Sequence, residues 1–301
     1  MSGAALVNGL EADAVYSRTP ERGEQFAAKT GAKRVFTDIK DLCRSDTDCV
    51  YAASPNYAHF EHCKALLLSG KHVICEKPVT TSSAEYAQLL SLAHKNSLVY
   101  MEAIMYMHTP ARQVLRDAVQ SIGRIYSANI DYSQLSSKYP ALKRGELPNI
   151  FNPQLKTGAL NDLGVYCVYP VIDLFGCPSQ ITPRRHLLDT GADGCGAALF
   201  EYEDKLVTVT YSKVGQSYGV SQFIGDNGSV TVSSISQLTG ICLHTRDGSR
   251  ELWGQSTKAQ LMGYEAQSFY DFITEPEKHA ARLAECERLA GLVMQTMELC
   301  R

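Results

Sequence analysis

The sequence predicts an α/β protein, a Rossmann-like parallel sheet followed by a second α/β domain built on an open antiparallel sheet. Three observations lead there. Short apolar runs alternate with helical stretches through the first 120 residues, the pattern of a doubly wound parallel sheet. After Gly123 the texture changes, and strand follows strand with short turns from Ser179 to Trp253. Between helix and turn, Gly70-Lys71-His72-Val73-Ile74-Cys75-Glu76-Lys77-Pro78-Val79 reads as a helix end, a short buried strand and an abrupt stop. Lys77 then sits at the carboxyl end of a parallel strand, where open α/β sheets bind ligands. The plainer reading is a surface lysine in a turn.

Taken in order, Ala14 to Tyr16 is a short strand and Pro20 to Lys29 a helix. Arg34 to Phe36 and Val50 to Ala53 are strands, the latter ending in Ser54-Pro55-Asn56. The next helix places Phe60, Cys63 and Leu67 on one face and stops at Gly70. Ser82 and Glu85 have capping-box spacing ahead of a helix carrying Tyr86, Leu89, Leu90 and Ala93. Leu98 to Met101 is a strand and Pro110 to Ala118 a helix. Ile125 to Tyr132 is a long strand, followed by a polar stretch to Asn152 and a helix around Asp162 to Phe175. Alternation in Leu206-Val207-Thr208-Val209-Thr210-Tyr211 suits a sheet with one solvated face, and Asp226-Asn227-Gly228 marks a turn. The closing helix repeats Leu283, Cys286, Leu289, Val293 and Met297 as a core stripe.

Composition excludes several functions. With 45% hydrophobic residues, 20% charged and a net charge of −3, the chain supports a sizeable core and lacks the basic bias of a nucleic-acid or anionic-membrane binder. No run of eighteen apolar residues and no basic-then-apolar leader stands out, so a cytoplasmic protein is expected. The ten cysteines form no C-x-x-C pair and the eight histidines no H-x-x-x-H, so free thiols and no metal site are expected.

Ser54-Pro55-Asn56 with His59, then Gly-Lys-His-Val-x-x-Glu-Lys-Pro, then Glu102-Ala103, then Gly158-Ala159-Leu160-Asn161-Asp162-Leu163-Gly164-Val165-Tyr166 occur in one order along the chain. In this the chain resembles the Gfo/Idh/MocA oxidoreductases, and with tyrosine at 166 it is most similar to the branch holding dimeric dihydrodiol and xylose dehydrogenases. The resemblance implies an NAD(P)-binding domain over residues 1–121 and a substrate-binding and oligomerisation domain over 122–301. It implies hydride transfer between NAD(P) and a sugar, polyol or related hydroxyl or carbonyl compound, by a cytoplasmic homodimer or other homo-oligomer. It also implies that Ser54, Pro55, Asn56, His59, Glu76 and Lys77 line the cofactor.

The chemistry follows from the residues as well. Oxidising a secondary alcohol needs a hydride acceptor and a base. Asp162 and Tyr166 are four apart and share a helix face. A free tyrosine, with a pKa near about 10, is a poor base at neutral pH, and an ammonium such as Lys77 favours the phenolate. Tyr166 is therefore the expected acid/base, Lys77 its electrostatic partner and a hydrogen-bond donor to substrate, and Asp162 an orienter of substrate or lysine. As purely structural residues, Tyr166 is a buried helix residue and Asp162 a cap. Past the first predicted strand, Ser17 and Arg18 stand where an acidic residue would hold a ribose diol, which favours the 2′-phosphate of NADP over NAD, with Arg22 as helper. An exposed arginine near a helix start is the alternative. Lys138, Tyr139 and Arg144 suit either a polyhydroxylated ligand or plain solvation.

One feature departs from the family pattern. Met1-Ser2-Gly3-Ala4-Ala5-Leu6-Val7 leads almost directly to the segment read as the second Rossmann strand, and Gly3 and Gly9 do not form Gly-x-Gly-x-x-Gly. The first strand and its glycine loop are expected to be missing, with weak NADP binding and exposed strand edges. A second function class follows, a catalytically impaired relative that senses a ligand or regulates a partner. The joint presence of Lys77, Asp162 and Tyr166 favours the enzyme.

Overall fold

In the computed structural model, which describes residues 3–301, the strands and helices of the first hundred residues alternate regularly. They are β1 (Ala14–Tyr16), α1 (Pro20–Thr30), β2 (Arg34–Phe36), α2 (Ile39–Arg44), β3 (Cys49–Ala52), α3 (His59–Leu68), β4 (His72–Glu76), α4 (Ser83–Lys95) and β5 (Tyr100–Ala103). Pro20 starts α1, and Gly31, left-handed at φ 77°, stops it. The short α2 is not evident in the sequence pattern. It is capped by the Asp38 side chain, which accepts from the Lys40 N–H, and it buries only Leu42.

All the ladders here are parallel: β1 with β2, and β3–β4–β5. Among the described residues β1 pairs only with β2, and β3 only with β4. Val73, Ile74 and Cys75 of β4 are buried, as an interior strand requires. The last strand is Tyr100–Ala103, two residues later than Leu98 to Met101, because the turn that ends α4 extends through Ser97 and Leu98.

Then follow α5 (Ala111–Ser121), β6 (Ile125–Ser133), α6 (Tyr139–Lys143), α7 (Val165–Phe175) and seven strands. These are β7 (Gln180–Leu187), β8 (Asp193–Glu201), β9 (Leu206–Ser212), β10 (Ser221–Gly225), β11 (Gly228–Ser234), β12 (Thr239–Thr245) and β13 (Gly248–Trp253). They form one eight-stranded sheet in the order β13-β12-β11-β10-β6-β9-β8-β7. The sheet is mixed rather than wholly antiparallel. β6 and β9 run parallel at its centre, because the chain leaves β6 through α7 and two further strands before returning beside it. In β9 the alternation holds, with Val207, Val209 and Tyr211 buried. The β10–β11 hairpin closes through Asp226-Asn227, flanked by Gly225 and by Gly228 at φ 153°. Helix α7 is nearly all core: Val165, Cys167, Val168, Tyr169, Val171 and Ile172 are buried, packed on β6 and β9.

The chain ends with α8 (Lys258–Thr274) and α9 (Pro276–Leu299). These two helices decide the domain division. Unit 1 comprises the residues up to Thr80, Ala84–Ile104 and Lys258–Glu287, and unit 2 comprises Thr81–Ser83, Met105–Thr257 and Arg288–Arg301. A cut at 121/122 is therefore replaced by an interleaved one, since α8 and the first half of α9 return to unit 1 after the sheet of unit 2 is complete. Ala4–Leu6 makes a single 3₁₀ turn against α8, with Leu6 beside Gly263. Met1 and Ser2 lie outside the described residues. All ten cysteines are free thiols. Among the described residues no helix is long and apolar enough to cross a membrane, and no group of three His, Cys, Asp or Glu is placed to hold a metal.

Candidate active site

Unit 1 gathers its predicted residues along the carboxyl edge of the β3–β4–β5 ladder. The register pairs Ala52 with Cys75, so Ser54 and Lys77 each lie two residues beyond a matched pair. His59, at the start of α3 and fully buried, spans the two connections. Its Nε2 lies 2.7 Å from the Ser54 carbonyl and its Nδ1 2.9 Å from the Pro78 carbonyl. Burial lowers the His59 pKa although both carbonyls favour the imidazolium. A neutral ring donates through one nitrogen only, so at any moment one contact is a hydrogen bond and the other a close approach. Both ring nitrogens face backbone carbonyls, and His59 lies between the two loops.

Two further groups hold the Lys77 turn. The Val79 N–H donates to Glu102 Oε1 at 2.8 Å, and the Tyr51 hydroxyl donates to Glu76 Oε1 at 2.6 Å. The Lys77–Pro78 bond is cis. Glu265 enters the same core from α8, where burial, reinforced by Glu76 and Glu102, pushes its carboxyl up to about 8. The Ser54 hydroxyl is buried with no hydrogen-bond partner among the described residues, an orphan that a ligand at this edge would satisfy.

At the end of β1, Ser17 Oγ donates to the Thr19 carbonyl at 2.8 Å and so shapes the entry to α1. Arg18 reaches across to donate to the Tyr57 hydroxyl at 3.1 Å, and Tyr16 stands edge-on to His62, with ring centroids 5.7 Å apart. The β1 end and the start of α3 are thereby brought together. Arg22 is exposed on the first turn of α1, and Pro55 and Asn56 lie half-buried in the connection after β3.

In unit 2, Asp162 does not lie on an ordinary α-helix. Leu160–Gly164 is a π-helical turn leading directly into α7, a geometry that recurs at functional sites. Asp193, at the start of β8, accepts the Leu160 N–H at 2.7 Å and anchors this turn. Gly158, at φ 138°, leaves room for that carboxylate, which a Cβ would strike. Tyr166, in the first turn of α7, is half-buried where its neighbours on either side are buried. Its ring meets Tyr132 of β6 edge-on at 5.6 Å. Pro170, lacking an N–H, cannot donate to the Tyr166 carbonyl.

The Asp162 carboxylate makes an ion pair with Lys213, a residue just past β9. Lys213 is 5% exposed, whereas the Asp162 side chain keeps 30% of its surface open. Lower on α7, Asp173 is gripped by Arg112 through two bonds of 2.7 and 2.8 Å, by Arg116 at 2.6 Å and by the Tyr106 hydroxyl at 2.7 Å. Burial opposes the Asp173 charge, yet the bonded Arg112, with Tyr106 and Arg116, holds its carboxyl below the usual range. Of the candidate substrate residues, Arg144 pairs with Glu146 at 2.8 Å, and Tyr139 packs against Phe151 with Lys143 over its ring.

Lys213, Asp193 and the role of Glu102 escape a reading by local motifs. For Lys213 a signal exists. It continues the inward row Val207, Val209, Tyr211, and a lysine in a buried row calls for a partner.

Comparison with known proteins identifies the family. The family model described as an oxidoreductase family with an NAD-binding Rossmann fold matches residues 3–104. Scyllo-inositol 2-dehydrogenase (NADP(+)) IolU of Bacillus subtilis is 34% identical over 276 residues, 91% of this chain and 84% of that protein. The uncharacterized oxidoreductase YgjR of Escherichia coli is 34% identical over 263 residues, 87% of this chain and 80% of that one. A crystal structure of KijD10, a 3-ketoreductase from Actinomadura kijaniata in complex with NADP and TDP-benzene, shares the fold. Its TM-score is 0.82 at 22% identity, over 97% of this chain and 90% of that chain. The motifs, the fold and the extent of these likenesses agree, and the chain belongs to the Gfo/Idh/MocA oxidoreductase family.

Proposed function

We propose that the protein is an NADP(H)-dependent oxidoreductase that interconverts a secondary hydroxyl and a carbonyl on a sugar or polyol. Tyr166 exchanges the proton with the reacting oxygen, Asp162 orients the substrate and Lys77 steadies the negative charge that develops on that oxygen. The nicotinamide supplies or accepts the hydride. The observation that carries the reading is the partly open Asp162 carboxylate on a π-helical turn and, in the first turn of the helix it leads into, the half-open Tyr166, in surroundings that are core.

The two ends of the cofactor fit the residues present, although no Gly-x-Gly-x-x-Gly turn stands among them to cradle the pyrophosphate. The orphan Ser54 hydroxyl would be satisfied at the nicotinamide end, and Ser17 and Arg18, with no acidic residue beside them, suit the 2′-phosphate end, with Arg22 near. A relative named for NADP and scyllo-inositol, and others named for dTDP-linked keto sugars, support the same cofactor and substrate class. The half-exposed Thr208, Thr210 and Ser212 face of β9 favours self-association through the eight-stranded sheet, and ten free thiols suit the reducing cytoplasm. Calorimetric titration with NADPH and NADH, followed by nicotinamide absorbance with a panel of inositols, aldoses and their keto derivatives, tests the reading. Weak binding that prefers NADPH, with slow turnover of at least one polyol or ketose, is expected. Neither binding nor turnover would refute it. Light scattering tests the homo-oligomer.

A further inference from the structure

A buried lysine outside every recognised motif stands next to the reactive turn of unit 2. Lys213 is held at its backbone from both sides: its N–H donates to the Gly194 carbonyl at 2.8 Å, and its carbonyl accepts the Ser136 N–H at 2.9 Å. Strand parity sends its side chain inward, in line with Val207, Val209 and Tyr211. An ammonium buried in such surroundings is tolerated only with a countercharge, and the countercharge here is Asp162. The two ends of the pair differ. Lys213 is shut away, while the Asp162 side chain is partly open.

We propose that Lys213 is a positioning residue of the reaction, fixing the Asp162 carboxylate in the turn that leads into the Tyr166 helix so that its open side faces a substrate hydroxyl. The inference rests on the oxidoreductase reading above. A pair kept for stability alone is a poor explanation, since a well-packed apolar pair serves stability at least as well as a buried ion pair. The π-helical turn adds a reason for the device. Its ring of backbone bonds is wider than that of an α-helix, and a carboxylate on it needs an external anchor to keep one direction. Anchoring through a strand end bonded on both sides gives Asp162 the rigidity of the sheet rather than that of the turn.

The test is a double-mutant cycle in the full chain: wild type, Lys213→Met, Asp162→Asn and both together, with Lys213→Arg as the charge-retaining variant. Lys213→Met should lower kcat by about 10- to 100-fold with NADPH affinity unchanged, the scale expected for a misplaced substrate-orienting group. The same substitution in the Asp162→Asn background should change kcat by less than about twofold, because its target is gone. Lys213→Arg should recover part of the loss. Wild-type kcat in Lys213→Met, or an equal loss in both backgrounds, overturns the proposal. The double variant, with both charges removed, guards against a folding defect, and near-ultraviolet dichroism verifies it. A second readout needs no turnover. In protein labelled with ¹³C at the aspartate carboxyls, the Asp162 resonance, assigned by its loss in Asp162→Asn, should titrate at higher pH in Lys213→Met. An unchanged midpoint overturns the coupling even if the protein is an enzyme. Absence of wild-type NADPH binding and turnover, with the midpoint shifted as expected, overturns the oxidoreductase reading instead.

Discussion

The two units differ in how they handle buried charge. In unit 1 the buried ionisable groups are answered by the main chain or kept neutral. His59 faces two carbonyls, Lys71 donates to the Ser45 carbonyl, Glu102 accepts the Val79 N–H, and Glu265 retains its proton up to about 8. In unit 2 Asp162 is answered by Lys213 and Asp173 by Arg112 and Arg116, while Asp193 accepts the Leu160 N–H. Main-chain partners fix the path of a loop, which suits the connections after β3 and β4. Countercharges fix the direction of a side chain, which suits a turn that must aim a carboxylate. Unit 1 should accordingly respond to pH, and unit 2 to loss of a single partner.

The largest effect expected is on Tyr166. Tyr166→Phe should reduce kcat by roughly 10²–10⁴, the range for a lost acid/base, with NADPH affinity nearly unchanged. A pH–rate profile that kept its basic limb in this variant would assign the proton transfer elsewhere. Next, Lys77→Met should lower kcat by roughly 10²–10³, as removal of one charge-stabilising group does, and leave the thermal melt intact because Lys77 is only half-buried at a strand end. Near-normal turnover would move the catalytic cation out of unit 1.

Stability variants probe the contrast more directly. Asp173→Asn strands two arginines and should destabilise unit 2 by about 3–5 kcal/mol, read as an earlier denaturant midpoint. An unchanged midpoint would mean that the pairing is incidental. Glu265 gives the most pH-dependent effect. Its folded pKa of about 8 lies above the ordinary value of 4.5, so between these the folded chain holds a proton that the unfolded chain has lost. Stability from this group is full below pH 4.5 and lost as the pH rises to 8. Glu265→Gln should therefore flatten the decline of the melting temperature between pH 6 and 9, raising it by a few degrees at the alkaline end. An identical slope in wild type and variant would remove Glu265 as its source.

Much of this was legible in the sequence, for identifiable reasons. Elements whose signal is local were placed well: β2 matched Arg34–Phe36, and the buried row of β9 followed its alternation. What escaped depends on residues distant along the chain. Lys213 and Asp162 are 51 residues apart, and Asp193 anchors Leu160 across 33. The π-helical turn has no compositional mark, since Leu-Asn-Asp-Leu-Gly suits an α-helix about as well. The six-residue α2 buries too little to show a period. Glu265 could have been noticed, standing between Leu261 and Phe269 at four-residue spacing in a stripe that is otherwise core.

The interleaved division of the chain has a consequence for how the protein is made. Synthesis proceeds from the amino end, and domains generally fold as they emerge. Unit 2 can assemble its sheet once Trp253 has emerged, but unit 1 still lacks α8 and the first half of α9. The loops that carry Ser54 and Lys77 are therefore synthesised long before the helix that brings Glu265 into their core. A nascent chain should spend that interval with unit 1 open to chaperones and proteases, and a chain ending at residue 257 should show a protease-resistant sheet and a protease-sensitive nucleotide-binding half.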